Sequence, residues 1–248
     1  MEEKKVKFVN SAGKKLSGKL FTPKGFKHTI VISNGIGTVK ERWEGEYFAF
    51  VQGFVALGYR VLTFDYTGRG ESEGKYTDTT LTTNIDDLNT AIDFLNDKSI
   101  ILLGESFGGE AAIYIAANDR RVKALITFYA PLNMLGWEGG KRYKIAKKNG
   151  FFVGGHGKYM LALFEDDASY DLKKEIPKIK CPWLIFHGEA DKYIAVSNAL
   201  DGYKLATCKK KLVIYKGEKE HVFQKKTFAK SFLEIKKFLA STKRNRAL

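Results

Sequence analysis

With 248 residues, 44% of them hydrophobic, the chain is long enough for one α/β domain covered on both sheet faces and too apolar to be a disordered segment. No apolar run approaches the roughly 20 residues that a membrane-spanning helix needs. The charged start Met1-Glu2-Glu3-Lys4-Lys5 does not resemble a secretory leader, so a cytoplasmic location is expected. The formal net charge is +14, yet the lysines are scattered along the chain. Local clusters occur at Lys209-Lys210-Lys211, Lys225-Lys226 and the tail Lys243-Arg244-Asn245-Arg246, with no interleaved aromatic residues. A solvated basic surface is expected, with at most weak association with an anionic surface and no nucleic-acid partner. Cys181 and Cys208 fit no metal-ligand spacing and read as free thiols.

In chain order, residues 6–9 and 16–21 alternate apolar and polar positions around Ser11-Ala12-Gly13, which predicts a hairpin. Thr29–Ser33 is a continuous apolar run ending in Asn34-Gly35-Ile36-Gly37. From about residue 44 to 57, apolar positions recur at helical spacing until Gly58. Arg60–Phe64 is a second buried strand, followed by Asp65-Tyr66-Thr67-Gly68-Arg69-Gly70-Glu71-Ser72. An amphipathic helix is predicted over 83–96, a strand over 99–103, a helix over 110–117 and a strand over 122–129. Strands over 182–187 and 211–215 and a final amphipathic helix over 223–240 complete the chain. Alternating helices and wholly apolar strands imply a mostly parallel central sheet with helices on both faces, in one domain spanning 1–248.

One segment breaks the alternation. About 50 residues separate the strand ending near Tyr129 from the one starting at Pro182, a length usual for a lid or binding element. Seven glycines cut this insertion, about 132–176, into short pieces. Trp137, Phe151, Phe152 and Met160 within it would either wall a substrate pocket or pack beneath the loop.

The run Gly104-Glu105-Ser106-Phe107-Gly108 joins an apolar strand directly to a helix-forming stretch. Such a turn forces its central residue into a strained conformation and needs small neighbours, and it presents the serine hydroxyl at the carboxyl edge of the sheet. A serine hydroxyl needs a base, and the base an orienting acid. Asp191, in His187-Gly188-Glu189-Ala190-Asp191, and His221, between the last strand and the last helix, both fall on loops at that edge. The order Ser106, Asp191, His221 suits a nucleophile–acid–base triad. Glu189 is the rival acid and His156 the rival base. His187 reads as a structural hydrogen-bonder, and His28 lies at the opposite edge. Asp65, Gly68, Gly70 and Ser72 read as turn formers, and Glu110, Asp166 and Asp167 as solvated charges. No Cys, His or carboxylate spacing suggests a metal.

Taken together, the four motifs at Asn34, Asp65, Gly104 and His187 with His221 resemble the α/β-hydrolase superfamily over nearly the whole length. Within it the chain is similar to small serine esterases and acylglycerol-lipase-like enzymes, including cinnamoyl and feruloyl esterases. The resemblance implies a carboxylesterase-type serine hydrolase of small-molecule esters that needs no cofactor. It also implies an oxyanion hole made by the backbone N–H groups of Phe107 and Ile36. Asn34 stands where many relatives have His, but the donor is a main-chain group. A thioesterase or an aminopeptidase would use the same triad, the latter with acidic residues such as Asp166 or Asp167 lining its pocket. A non-enzymatic ligand-binding protein on a hydrolase scaffold is the remaining alternative.

Overall fold

The computed structural model describes residues 1–45, 47–155, 157–217 and 225–244. The opening hairpin is formed by β1 (Glu2–Val9) and β2 (Lys15–Thr22), paired antiparallel. The following strands are β3 (Thr29–Ser33), β4 (Arg60–Phe64), β5 (Ile100–Glu105), β6 (Val122–Phe128), β9 (Trp183–Gly188) and β10 (Lys210–Tyr215). They form one eight-stranded sheet in the order β1-β2-β4-β3-β5-β6-β9-β10. From β4 to β10 every pairing is parallel.

The parallel strands are apolar throughout because both faces are covered. Along β3 and β5, Val31 and Leu102 point into one buried cluster, and Ile30, Ile32, Ile101 and Leu103 into the other. The first cluster is closed by α3 (Leu81–Leu95), α4 (Phe107–Asn118) and α8 (Ser197–Leu205), through residues such as Leu88, Ala112 and Ala199. The second is closed by α2 (Phe48–Ala56) and α9 (Lys225–Arg244), through Phe50, Phe54, Ile235 and Leu239. The helix expected over 44–57 is split. A short α1 (Glu41–Glu44) ends at Gly45, whose N–H closes back on Glu41, before α2 begins.

Chain direction matters most at β3, which has β4 on one side and β5 on the other. The connections leaving the carboxyl ends of β3 and β5 diverge there, which opens a crevice of the kind that binds ligands in α/β sheets.

The insertion after β6 is more regular than its glycines suggest. It holds a 3-10 turn (Met134–Gly136), α5 (Lys141–Asn149), an antiparallel pair β7 (Phe151–Gly154) and β8 (Gly157–Met160), α6 (Leu161–Ala168) and α7 (Leu172–Glu175). Gly139, Gly140 and Gly150, all at positive φ, bracket α5. They supply the left-handed turns that a β-carbon would strain. No helix among the described residues is long and apolar enough to cross a membrane.

Candidate active site

Ser106 sits at φ 51° and ψ −125°, between β5 and the first residue of α4. A non-glycine residue there costs about 1–3 kcal/mol, so the surroundings must hold it in place. They do so through close backbone approaches. Ser106 N donates to Phe128 O at 2.9 Å, and Gly109 N donates to Ser106 O at 2.8 Å. A β-carbon at Gly104 would stand 2.5 Å from Gly109 Cα, and one at Gly108 would stand 2.3 Å from the carbonyl oxygens of Ser33 and Asn34. The glycines flanking Ser106 are therefore what let helix, strand and neighbouring loop converge.

The loop after β3 is fixed from several sides. Asn34 Nδ2 donates to Phe64 O at 2.7 Å, tying the loop to the end of β4. Thr38 Oγ1 (2.7 Å) and Arg69 Nη1 (3.1 Å) both donate to Gly35 O. Lys40, buried at the loop's far end, donates through Nζ to Asp65 and Glu71 and through its backbone N–H to Asp65, each at 2.7 Å. Asp65 O in turn accepts from Ser72 Oγ at 2.6 Å. A β-carbon at Gly70 would lie 2.3 Å from the Asp65 carboxylate. The turn 65–72 is thus a brace for the loop, in line with the turn-forming role read from its residues. Within the braced loop, Gly35 lies so close that a β-carbon would be 3.3 Å from Ser106 Cβ. The backbone N–H groups of Ile36 and Phe107 have no main-chain acceptor among the described residues.

Asp191 follows β9 at the same edge, its side chain only 2% exposed. Its Oδ1 accepts from the backbone N–H groups of Tyr193 (2.8 Å) and Ile194 (3.0 Å). Oδ2 lies 3.8 Å from His187 Nε2, too far for a hydrogen bond. His187 is fully buried and bonds Ile194 O through Nε2 at 2.8 Å. Burial lowers its pKa, so it stays neutral. Glu189 is exposed and accepts from Gly217 N at 3.1 Å, bridging the ends of β9 and β10. His28 bonds Ser99 Oγ at 2.9 Å, at the start of β3. His221 and His156 lie outside the described residues.

Ser106 opens into a cleft of about 560 Å³. Ile36, Thr38 and Val39 form one wall, and Trp137, Arg142 and Tyr159 of the insertion form the other. Of the four insertion residues singled out in the sequence, Trp137 lines the cleft; Phe151, Phe152 and Met160 do not. Phe151 pairs with Met160 across the β7–β8 hairpin, and Phe152 stacks on Tyr159 at 5.9 Å, behind the cleft wall. Two arginines also reach the cleft, and nothing in local sequence marked them. Arg42 Nη1 donates to Glu105 Oε1 at 3.0 Å, an oxygen that also accepts from Tyr129 Oη at 2.6 Å. Arg142 lies 3.8 Å over the Trp137 ring.

Glu110 and Asp167 are not solvated: each is 1% exposed. Glu110 lies in the first turn of α4 and Asp167 in α6, and the two carboxyl groups are neighbours; Glu110 Oε2 and Asp167 Oδ1 accept from no donor among the described residues, whereas Asp167 Oδ2 accepts from Met134 N at 2.7 Å. Burial first, then the neighbouring Asp167 carboxylate, pushes the Glu110 carboxyl well above the usual carboxylate range. Burial likewise pushes Asp167 up to about 6, against the Met134 N–H bond and the Glu110 carboxyl, which lower it. A carboxyl whose folded pKa is raised stabilises the fold below the ordinary carboxylate pKa, and that contribution is lost as pH rises through the folded value. The melting temperature is therefore expected to fall as pH rises from about 4 through 6 and above. Glu110→Gln keeps a donor toward Asp167 without a titrating proton, so the fall should be shallower. A tenfold change in proton affinity is about 1.4 kcal/mol, and each kcal/mol moves Tm by roughly 2–4 °C at this chain length. Melting curves from pH 4 to 8 check this, and identical slopes in the two proteins would refute it. Asp166 is half-buried and holds Thr82 through its backbone N–H (2.9 Å) and Oγ1 (2.6 Å), outside the cleft.

The sheet order, the strained serine between β5 and α4, and the braced loop beside it define an α/β-hydrolase. The profile of Hydrolase_4, described as serine aminopeptidase S33, matches residues 25–148, and the chain belongs to that family. The match contains Ser106 and the loop after β3 but ends before Asp191. The quorum-quenching protein AidA of Acinetobacter baumannii (strain MDR-ZJ06) is 33% identical over 105 residues, 40% of this chain and 34% of that protein. The chain spans about a third of the length of the first curated relatives it matches. Est1E of Butyrivibrio proteoclasticus, solved with ferulic acid, superposes at a TM-score of 0.79 with 21% identity, covering 95% of this chain and 98% of that one. The monoacylglycerol lipase of Paleococcus ferrophilus superposes at 0.75 with 19% identity, covering 98% and 100%. These structural likenesses are of fold.

Proposed function

We propose that this hydrolase cleaves carboxylic esters of small molecules through an acyl-enzyme formed on Ser106. The observation that carries the reading is the strained Ser106 lining the cleft, next to two residues, Ile36 and Phe107, whose backbone N–H groups have no main-chain acceptor among the described residues. Ser106 Oγ attacks the ester carbonyl while His221 takes its proton as general base. The N–H groups of Phe107 and Ile36 hold the tetrahedral oxyanion, each contributing about 2.7–4 kcal/mol. His221 then protonates the leaving alkoxide. The same imidazole activates the water that releases the acid. Asp191 orients His221 through Oδ2, the oxygen left without a hydrogen bond by the described residues. Chain direction supports this role for His221. β10 runs parallel to β9, with Tyr215 beside Gly188, so the chain leaves β10 at the edge where Asp191 sits.

The cleft favours an ester over an N-terminal peptide. An aminopeptidase pocket meets a substrate ammonium with carboxylates. Here the described lining residues include two arginines and one carboxylate, Glu105, whose charge Arg42 already meets. Asp166 and Asp167 are engaged elsewhere. The ferulic-acid complex of Est1E and the lipase of similar fold lend the reading further support.

A fluorophosphonate probe tests the assignment. Labelling is expected on the peptide containing Ser106, and p-nitrophenyl esters should turn over while aminoacyl anilides do not. An unlabelled Ser106, or anilides outpacing esters, overturns it.

A further inference from the structure

Arg142 is built into the cleft wall more firmly than a surface cation. Its side chain is 13% exposed, although arginine is rarely buried without a full set of acceptors. The guanidinium lies 3.8 Å over Trp137, 4.9 Å over Phe152 and 5.5 Å from the Tyr193 ring centroid. Tyr159 backs this group, edge-on to Trp137 at 5.4 Å. Rings on several sides fix the plane of the fork and remove water from it, which strengthens any charge interaction made there.

The hydrogen-bonding capacity of that fork is largely unused. Glu138 Oε1 accepts from Nη2 at 3.0 Å. Nη1 makes no hydrogen bond among the described residues, and Nε is buried with no acceptor. Nε is closed to solvent, so Nη1 is the donor open to an acceptor arriving from the cleft. Both cleft arginines are ion-paired, Arg42 with Glu105 and Arg142 with Glu138, each at 3.0 Å, but Glu138 does not line the cleft and engages only Nη2 of Arg142. An arginine has five donors in a planar fork, enough to bind Glu138 and a second carboxylate together.

We propose that Arg142 forms a subsite for a free carboxylate on the substrate, so that the preferred esters are monoesters of dicarboxylic acids rather than neutral esters. The inference rests on the ester-hydrolase reading above and adds the substrate class. Trp137, Phe152 and Tyr193 act as positioning residues that hold the guanidinium.

The test compares mono-p-nitrophenyl glutarate with the neutral p-nitrophenyl valerate, of equal acyl length. In the unmodified protein, kcat/KM should favour the glutarate. The ratio of the two should drop about tenfold to a hundredfold in Arg142→Gln, the range for losing a charge-assisted hydrogen bond. Arg142→Lys keeps the charge and loses the fork, so it should fall between the two. A neutral preference in the unmodified protein, or an unchanged ratio in both variants, overturns the subsite even while Ser106 turns over esters. A second arm needs no turnover: calorimetric titration of Ser106→Ala protein with monomethyl and dimethyl glutarate. Tighter binding of the monoester, lost on adding Arg142→Gln, upholds the subsite even if Ser106 proves not to be a nucleophile. Equal binding of the two esters refutes it.

Discussion

Ser106→Ala is expected to lower ester kcat by about a millionfold while the melting temperature stays nearly unchanged. The substitution removes one oxygen and nothing else. The backbone at φ 51° is held by Phe128 O, Gly109 N and the glycine contacts of α4, none of which involves the hydroxyl. The hydroxyl itself makes no capping bond to α4. With the nucleophile gone, kcat and kcat/KM should fall together, because the missing interaction exists only along the reaction path. Steady-state kinetics on p-nitrophenyl esters, with thermal melts on the same samples, measure both. Turnover near the starting rate would remove Ser106 from the chemistry.

Asp191→Asn should cost about ten-thousandfold in kcat, the effect of holding the imidazole in the wrong tautomer. The geometry makes this a clean substitution. Asn keeps an Oδ1 to accept from Tyr193 and Ile194, so the loop retains both anchoring bonds. What changes is the second atom: an amide NH2 replaces Oδ2 and offers a donor where the imidazole N–H requires an acceptor. Glu189→Gln serves as the control, since Glu189 holds only Gly217 N at an exposed position. A loss under tenfold in Asp191→Asn, with a large loss in Glu189→Gln, would transfer the orienting role to Glu189.

The parts of this molecule legible in its sequence are those fixed by short-range rules. Strands such as Thr29–Ser33 and Arg60–Phe64 are buried on both faces and so read as unbroken apolar runs. The turn at Ser106 declared itself because close helix–strand contact demands glycine at 104 and 108. What stayed hidden depends on pairings between distant segments. Phe151 and Phe152 looked equivalent to Trp137, yet Phe151 faces the other side of the β7–β8 pair from its neighbour and Phe152 is screened from the cleft by Tyr159, on which it stacks. Arg42 and Arg142 carry no local mark of function, since their neighbours in space come from β5, the insertion and the loop after β9. Glu110 and Asp167 read as surface charges because nothing local in sequence shows that α4 and α6 bury them beside each other.

The burial of Glu110 beside Asp167 also bears on how the insertion is fastened next to Ser106. Swinging α6 away from α4 would part these two carboxyl groups and pull Asp167 from Met134 N. By the linkage argued above, that contact holds best at low pH and loosens as the carboxyls ionise. The grip of the insertion on α4, the helix that begins at Phe107, is therefore set by proton concentration as well as by packing.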